Sequence, residues 1–202
     1  MDTAQLVALA AALGWASGLR LYAVLLITGL AGLAGWVELP AGLRVLQHPL
    51  VLGASGFMFL AEFFADKIPG IDSLWDLLQT AVRIPAGAAL AAAVFGADQG
   101  TVAVAAAVLG GALAATSHTG KATARAAINT SPEPFSNVAM SLAEDGLVAG
   151  GLWLSYTHPL AFLVALALVL VATIALTWWL WRFLKLALQR VRRLLGDAPA
   201  PP

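Results

Sequence analysis

Four stretches of this sequence set acids and bases at helical spacing within apolar surroundings. Glu62 and Asp66 lie four residues apart and share one helix face, with Ser55 two turns away and Lys67 next in the chain. Asn137, Ser141, Glu144 and Asp145 make a second stripe, and Ser117, Lys121 and Arg125 a third, with His118 beside it. Asp72, Asp76, Gln79 and Arg83 follow one another at spacings of four, three and four. Arg20 stands in the middle of a long apolar run. Carboxylates so placed serve as cation ligands or proton carriers. The acids alone suit a metal ion, of unknown identity. The bases beside them hold them ionised, compete as internal cations, or suit an anionic solute or lipid headgroup.

The elements that must position these groups follow from composition. The chain has 202 residues, 60% hydrophobic and 11% charged, with a mean hydropathy of +0.86. A soluble domain has roughly 45–50% apolar and about 25% charged residues. The excess recurs as long apolar windows along the chain, so the bilayer is the expected solvent and membrane lipid the expected partner. One domain is the default at this length. A formal net charge of zero gives no field that would draw nucleic acid. No cysteine is present, so disulfides, thiol chemistry and Cys-ligated metal are excluded. No motif calls for a bound cofactor. The start, Met1 to Gln5, lacks a basic segment and reads as the beginning of a retained first helix.

A span needs roughly 20 mostly apolar residues. Breakers divide the chain into about six: Ala4–Ala34, Leu50–Ile68 (stopping at Pro69-Gly70), Ile71–Phe95 with a kink expected at Pro85, Thr101–Ala127, Phe135–Tyr156 and Pro159–Leu195. Trp36 to Pro49 connects the first two, and Asp98-Gln99-Gly100 is a turn. Residues 196–202 read as a disordered tail. The fold class is an all-α membrane bundle forming a single domain over residues 1–195. Lys67, Lys121, Arg125 and the C-terminal cluster Arg182, Lys185, Arg190, Arg192 and Arg193 fall on one side if both termini are cytoplasmic, leaving Arg44 outside. Trp178, Trp179 and Trp181 fit an interfacial belt.

Met58 to Glu62 matches Met140 to Glu144, and Gly18-Leu19-Arg20 is similar to Gly120-Lys121. The halves, about 4–97 and 101–195, would each hold three spans, which predicts a 3+3 inverted repeat. Gly14–Gly18 and Gly146–Gly150 are small-xxx-small spacings suited to close crossings within the bundle, with a homodimer contact as the alternative. A charge at the bilayer centre costs about 2.5–3.5 kcal/mol on insertion scales. The charged groups are therefore expected to face one another or water, in one polar cavity. The bland alternative is a set of ion pairs that only fix helix register. By the same standard His118 alone reads as a packing residue, and Arg83, Asp72 and Lys67 as groups solvated at the interface. Asn129 to Asn137 has the character of a broken helix or re-entrant lining.

Five strings stand out as a set: Glu62 to Gly70 (EFFADKIPG), Arg83 to Ala88 (RIPAGA), Gly120 to Arg125 (GKATAR), Asn129 to Pro134 (NTSPEP) and Ser141 to Asp145 (SLAED). Together they resemble the bacterial membrane-protein family known as domain of unknown function 4126, over about Leu13 to Val171. That resemblance implies a multi-pass protein of the bacterial inner membrane and supplies no activity. A looser similarity is to cation exchangers whose inverted halves each carry a Glu-x-Gly-Asp-Lys motif. Here Glu62 to Asp66 is one residue longer and lacks the glycine, and Glu144 and Asp145 are adjacent.

The expected function is a small transporter or channel for a cation or a proton-coupled small solute. Its pathway would be lined by Glu62, Asp66, Asp76, Asn137, Ser141, Glu144 and Asp145 against Arg20, Lys121 and Arg125. The alternatives are a lipid flippase or scramblase and an assembly protein without transport. Asp72-x-x-x-Asp76 resembles the Mg²⁺–diphosphate pair of membrane alcohol-phosphate transferases, but the upstream Asp-Gly-x-x-Ala-Arg is missing, so no enzyme and no catalytic residue is expected.

Overall fold

A computed structural model gives the architecture of residues 1–68, 71–96, 99–129 and 134–196. The elements are α1 (Thr3–Leu33), a 3-10 helix (Ala41–Gln47), α2 (Pro49–Ala65), α3 (Ile71–Phe95), α4 (Gly100–Ile128), α5 (Pro134–Thr157) and α6 (Pro159–Gly196). The expected stop at Pro69-Gly70, parts of the turn at Asp98 and of the polar segment after Asn129, and the 197–202 portion of the tail lie outside the described residues.

Local signals start the helices. Asp2 and Gln5 form a capping box: the Gln5 N–H donates to Asp2 Oδ1, and the Asp2 N–H to Gln5 Oε1, both at 2.8 Å. Pro49 opens α2, where its missing N–H costs nothing, and His48 Nδ1 accepts from the Leu50 N–H at 3.2 Å. After α1 the chain turns through Gly35 at φ +72°, a left-handed conformation that favours glycine. Helix α3 continues through Pro85.

The decisive feature is a break inside α1. Arg20 leaves the helical conformation at φ −147°, ψ 78°. Before the break, the Gly14 backbone rests on Gly110, and Gly18 on Ala114 and Ser117, so this arm runs parallel to α4. After it, Leu26 meets Gly56, and Gly29 meets Leu46 and Leu52, so the second arm runs antiparallel to α2. A straight helix of this length would reach about 45 Å. Instead Met1 and Gln5 line one cavity together with Leu30, Leu33 and Trp36. Helix α1 is a hairpin with Arg20 at its tip.

Helix α1 thus folds back at Arg20 instead of running straight through the bundle. The Met1 end and the far end of α6 lie at opposite ends of the bundle. Thr3–Leu33, Leu74–Phe95, Gly100–Ile128 and Pro159–Arg190 are long and apolar enough to cross a membrane, and the 3-10 helix with α2, bent by 68°, adds a fifth candidate. Helix α5 is not among them, because Asn137, Ser141, Glu144 and Asp145 lower its hydropathy. Since the chain has no cysteine, single cysteines placed at Asp2 and at Gln189 should react with an impermeant maleimide from opposite faces of sealed vesicles. Labelling from the same face would overturn the hairpin.

The core gathers around both arms of α1, with Leu9, Leu13, Trp15, Leu21 and Val24 packed against Leu90, Val94, Leu152 and Phe162. Gly14 and Gly18 serve close packing within the chain, whereas the space around Gly146 and Gly150 is open to 4 Å. A Cβ at Gly14 would stand 2.7 Å from the Gly110 Cα, which forces backbone apart. Gly14→Ala should therefore cost about 1–3 kcal/mol, read as a lowered melting temperature in detergent. Gly146→Ala should leave it unchanged or slightly raised.

Candidate functional site

The tip of the α1 hairpin meets the charged stripes of the other helices. Breaking a helix frees backbone groups that must find partners within the protein. Lys121 Nζ donates to the Leu19 carbonyl at 3.1 Å, and Ser117 Oγ to the Trp15 carbonyl at 2.7 Å. At the end of α2, Arg125 Nη1 donates to the Asp66 carbonyl at 2.7 Å. The bases of α4 thus close the backbone at the break in α1 and at the end of α2, and both also reach the Asp66 carboxylate.

Lys121 is the hub. Its Nζ lies 3.2 Å from Asp66 Oδ2, 3.3 Å from Asp76 Oδ1 and 3.2 Å from Glu144 Oε2. Arg20 Nη2 lies 3.1 Å from Asp66 Oδ2 and donates to Ser141 Oγ at 2.7 Å and to the Ser141 carbonyl at 3.2 Å. Its Nε stands at ion-pair distance from Asp145 (3.1 Å) and Glu144 (3.5 Å) without hydrogen-bond alignment to either. Arg125 Nη2 adds contacts to Glu144 Oε2 at 3.2 Å and Asp66 Oδ2 at 3.4 Å. Its Nη1 donates to Asn137 Oδ1 at 3.3 Å and lies 3.8 Å from Asp72 Oδ2. Asn137 in turn donates to Asn129, and Asn129 to both oxygens of Asp72.

A second node joins the first through Asp76. Arg83 donates to Asp76 Oδ1 at 2.7 Å and to Glu62 Oε1. Its Nη1 also reaches His118 Nδ1 at 3.2 Å, and His118 Nε2 lies 2.7 Å from Thr80 Oγ1. A guanidinium has no acceptor, so Nδ1 must accept. Thr80 Oγ1 donates to the Asp76 carbonyl at 3.0 Å, which leaves Nε2 of His118 as the donor to Thr80. His118 is thereby held as the neutral Nε2–H tautomer.

The structure thus brings Arg20, Glu62, Asp66, Asp76, Lys121, Arg125, Asn137, Ser141 and Glu144 into one buried network, with Asp145 half-buried at its rim. Two residues expected at a solvated interface behave otherwise. Arg83 and Asp72 are fully buried, because α3 packs its polar stripe inward against α1 and α4. Among the described residues, Arg83 is the cation at ion-pair distance from Glu62, a role that stripe spacing alone did not show. Lys67 stays at the rim, its Nζ on the Phe63 ring and carbonyl.

Five buried carboxylates (Glu62, Asp66, Asp72, Asp76, Glu144) therefore meet four buried bases (Arg20, Arg83, Lys121, Arg125), and Asp145 and Lys67 add one charge of each sign at the rim, a formal excess of one negative charge among the described residues. Among the described residues, one oxygen each of Glu62, Asp66, Asp76 and Glu144 is buried with neither a hydrogen bond nor an ion pair. Asp145 Oδ1 lacks a hydrogen bond but lies 3.1 Å from Arg20 Nε, and Arg20, Arg83 and Arg125 also carry buried nitrogens without a hydrogen bond. No group of three or more His, Asp or Glu among the described residues is arranged to hold a metal ion.

The model of the family described as Domain of unknown function (DUF4126) matches residues 7–180. The chain belongs to this family. Every charged member of the network falls within the DUF4126 region, as do both arms of the hairpin apart from the first turn. Neither the curated proteins nor the solved structures contain a match to the chain.

Proposed function

We propose that this DUF4126 protein is a small membrane transporter or channel that moves a cation, or a small solute coupled to one, with the proton as the coupling ion its chemistry suits best. The observation that carries this is the acid excess in the buried network, with one unpartnered oxygen on each of four carboxylates. A buried ionised carboxylate with no partner on an oxygen is costly, and a proton removes the charge without needing a cage of ligands. Each of these acids also lies within 3.5 Å of a base, an arrangement that disfavours a divalent cation at the same place. A network that only fixed register would balance its charges, because an uncompensated buried charge destabilises by several kcal/mol.

Further features support the same reading. Glu62 on α2 and Glu144 on α5 approach the network from helices that run in opposite directions, as a 3+3 inverted repeat with its second half at α4–α6 would require. Lys67, Arg125, Arg182, Lys185 and Arg190 lie toward one end of the bundle, and Arg44 toward the other. The positive-inside rule then makes the charged end cytoplasmic, with Met1 outside, in a bacterial inner membrane.

The experiment is flux in liposomes. Purified protein should dissipate an imposed pH gradient, or use it to drive uptake of a screened cation or small solute, at a rate above that of protein-free vesicles. Labelled-lipid scrambling is read on the same vesicles. Scrambling without solute flux would replace transport by a flippase activity, and neither by folded protein would leave an assembly role.

A further inference from the structure

At the end of the bundle opposite Met1, α4 and α6 part to leave a groove of about 430 Å³. It is lined by Ala115, Thr116, Thr119, Ile174, Thr177, Trp178 and Trp181. The helices touch closely beside it, where a Cβ on Gly120 would overlap Thr173. The lining is apolar apart from the three threonines, and Thr116 donates its hydroxyl back to the Ala112 carbonyl at 2.8 Å. The two tryptophans each carry a cation: the Arg182 guanidinium lies 4.7 Å from the Trp178 ring, and Lys185 Nζ 5.4 Å from the Trp181 ring. Both side chains are exposed, and among the described residues no carboxylate lies within ion-pair distance of either. An apolar slot between two spanning helices thus ends in two fixed, unneutralised bases at the level of the aromatic belt.

We propose that this groove is a binding site for an anionic phospholipid, with an acyl chain along α4 and α6 and the phosphate against Arg182 and Lys185. Charge complementarity selects the occupant. A zwitterionic lipid would fill the slot equally well but brings no net charge to the two bases. Basic pockets between spanning helices on the cytoplasmic side bind acidic headgroups in this way. Cation–π contacts hold the guanidinium and ammonium over the groove wall instead of leaving them to sweep through water. The site is independent of the buried network and of any transport through it.

The test uses the whole protein in phosphatidylcholine vesicles doped with brominated phosphatidylglycerol or, separately, with phosphatidylcholine brominated to the same extent. Bromine quenches tryptophan on contact. Two bases near the surface should favour the anionic lipid on the order of tenfold, so it should quench at a correspondingly lower mole fraction. Arg182→Gln with Lys185→Gln should abolish that preference, and high salt should weaken it. Trp178→Phe with Trp181→Phe should remove the extra quenching while leaving that of the other tryptophans. Equal quenching by the two lipids in the native chain, or a preference that survives the double Gln variant, would overturn the proposal.

Discussion

A Lys121→Met variant should fail to fold into a stable, monodisperse protein. Its ammonium is the contact shared by Asp66, Asp76 and Glu144, and it closes the Leu19 carbonyl at the hairpin tip. Methionine keeps much of the volume and removes every one of these interactions, so three carboxylates lose a cation at once in a place water does not reach. Removing one partner of a buried pair typically costs about 3–5 kcal/mol, and a small protein has about 5–15 kcal/mol in total. The checks are the melting temperature and the size-exclusion profile in detergent. Adding Glu144→Gln to Lys121→Met deletes a negative charge and should recover part of the loss, which an unspecific packing defect would not show. If Lys121→Met is as stable as the native chain, the network does not hold the hairpin in place.

The opposite pattern is expected for Glu62→Gln and Glu144→Gln: fold retained, transport lost. Each amide keeps the shape and can still accept a hydrogen bond, from Arg83 at Glu62 and from Arg125 at Glu144. Each substitution also reduces the acid excess by one, so stability should fall little or rise. What the amide cannot do is release and rebind a proton. Removing a positioned proton-transfer group slows the chemistry it serves by about a hundredfold or more, and flux driven by a pH gradient should drop by a similar factor. If both variants transport at the native rate while Arg20 or Lys121 variants lose the fold, these charges are ion pairs that fix register and the transporter reading fails.

How much of this was legible beforehand depended on whether a residue's environment is set by its sequence neighbours. Glu62 with Asp66, Ser141 with Glu144, and Lys121 with Arg125 declare themselves by helical spacing inside apolar windows, and the cost of charge in lipid makes their convergence an energetic requirement. Composition likewise dictates an all-helical membrane-type protein, since backbone groups in lipid must be satisfied internally. Family membership was also readable, because its strings are local.

The hairpin was not readable. Around Gly18-Leu19-Arg20 there is no proline, and the apolar run continues to Leu33. Ser17-Gly18 is a local weak point but does not by itself end a helix. The break is stabilised by groups far away in the chain: Lys121 on the Leu19 carbonyl, Ser117 on the Trp15 carbonyl, and Asp66, Ser141 and Asp145 on the Arg20 guanidinium. From that one residue follows the placement of the Met1 end and the far end of α6 at opposite ends of the bundle. The burial of Arg83 was decided in the same way, since its spacing with Asp76 and Asp72 names a stripe but not the direction it faces. By itself, the sequence determined which charges must meet. Only the tertiary structure decided where the chain must break for them to do so, because the interactions that make the break affordable join residues about a hundred positions apart.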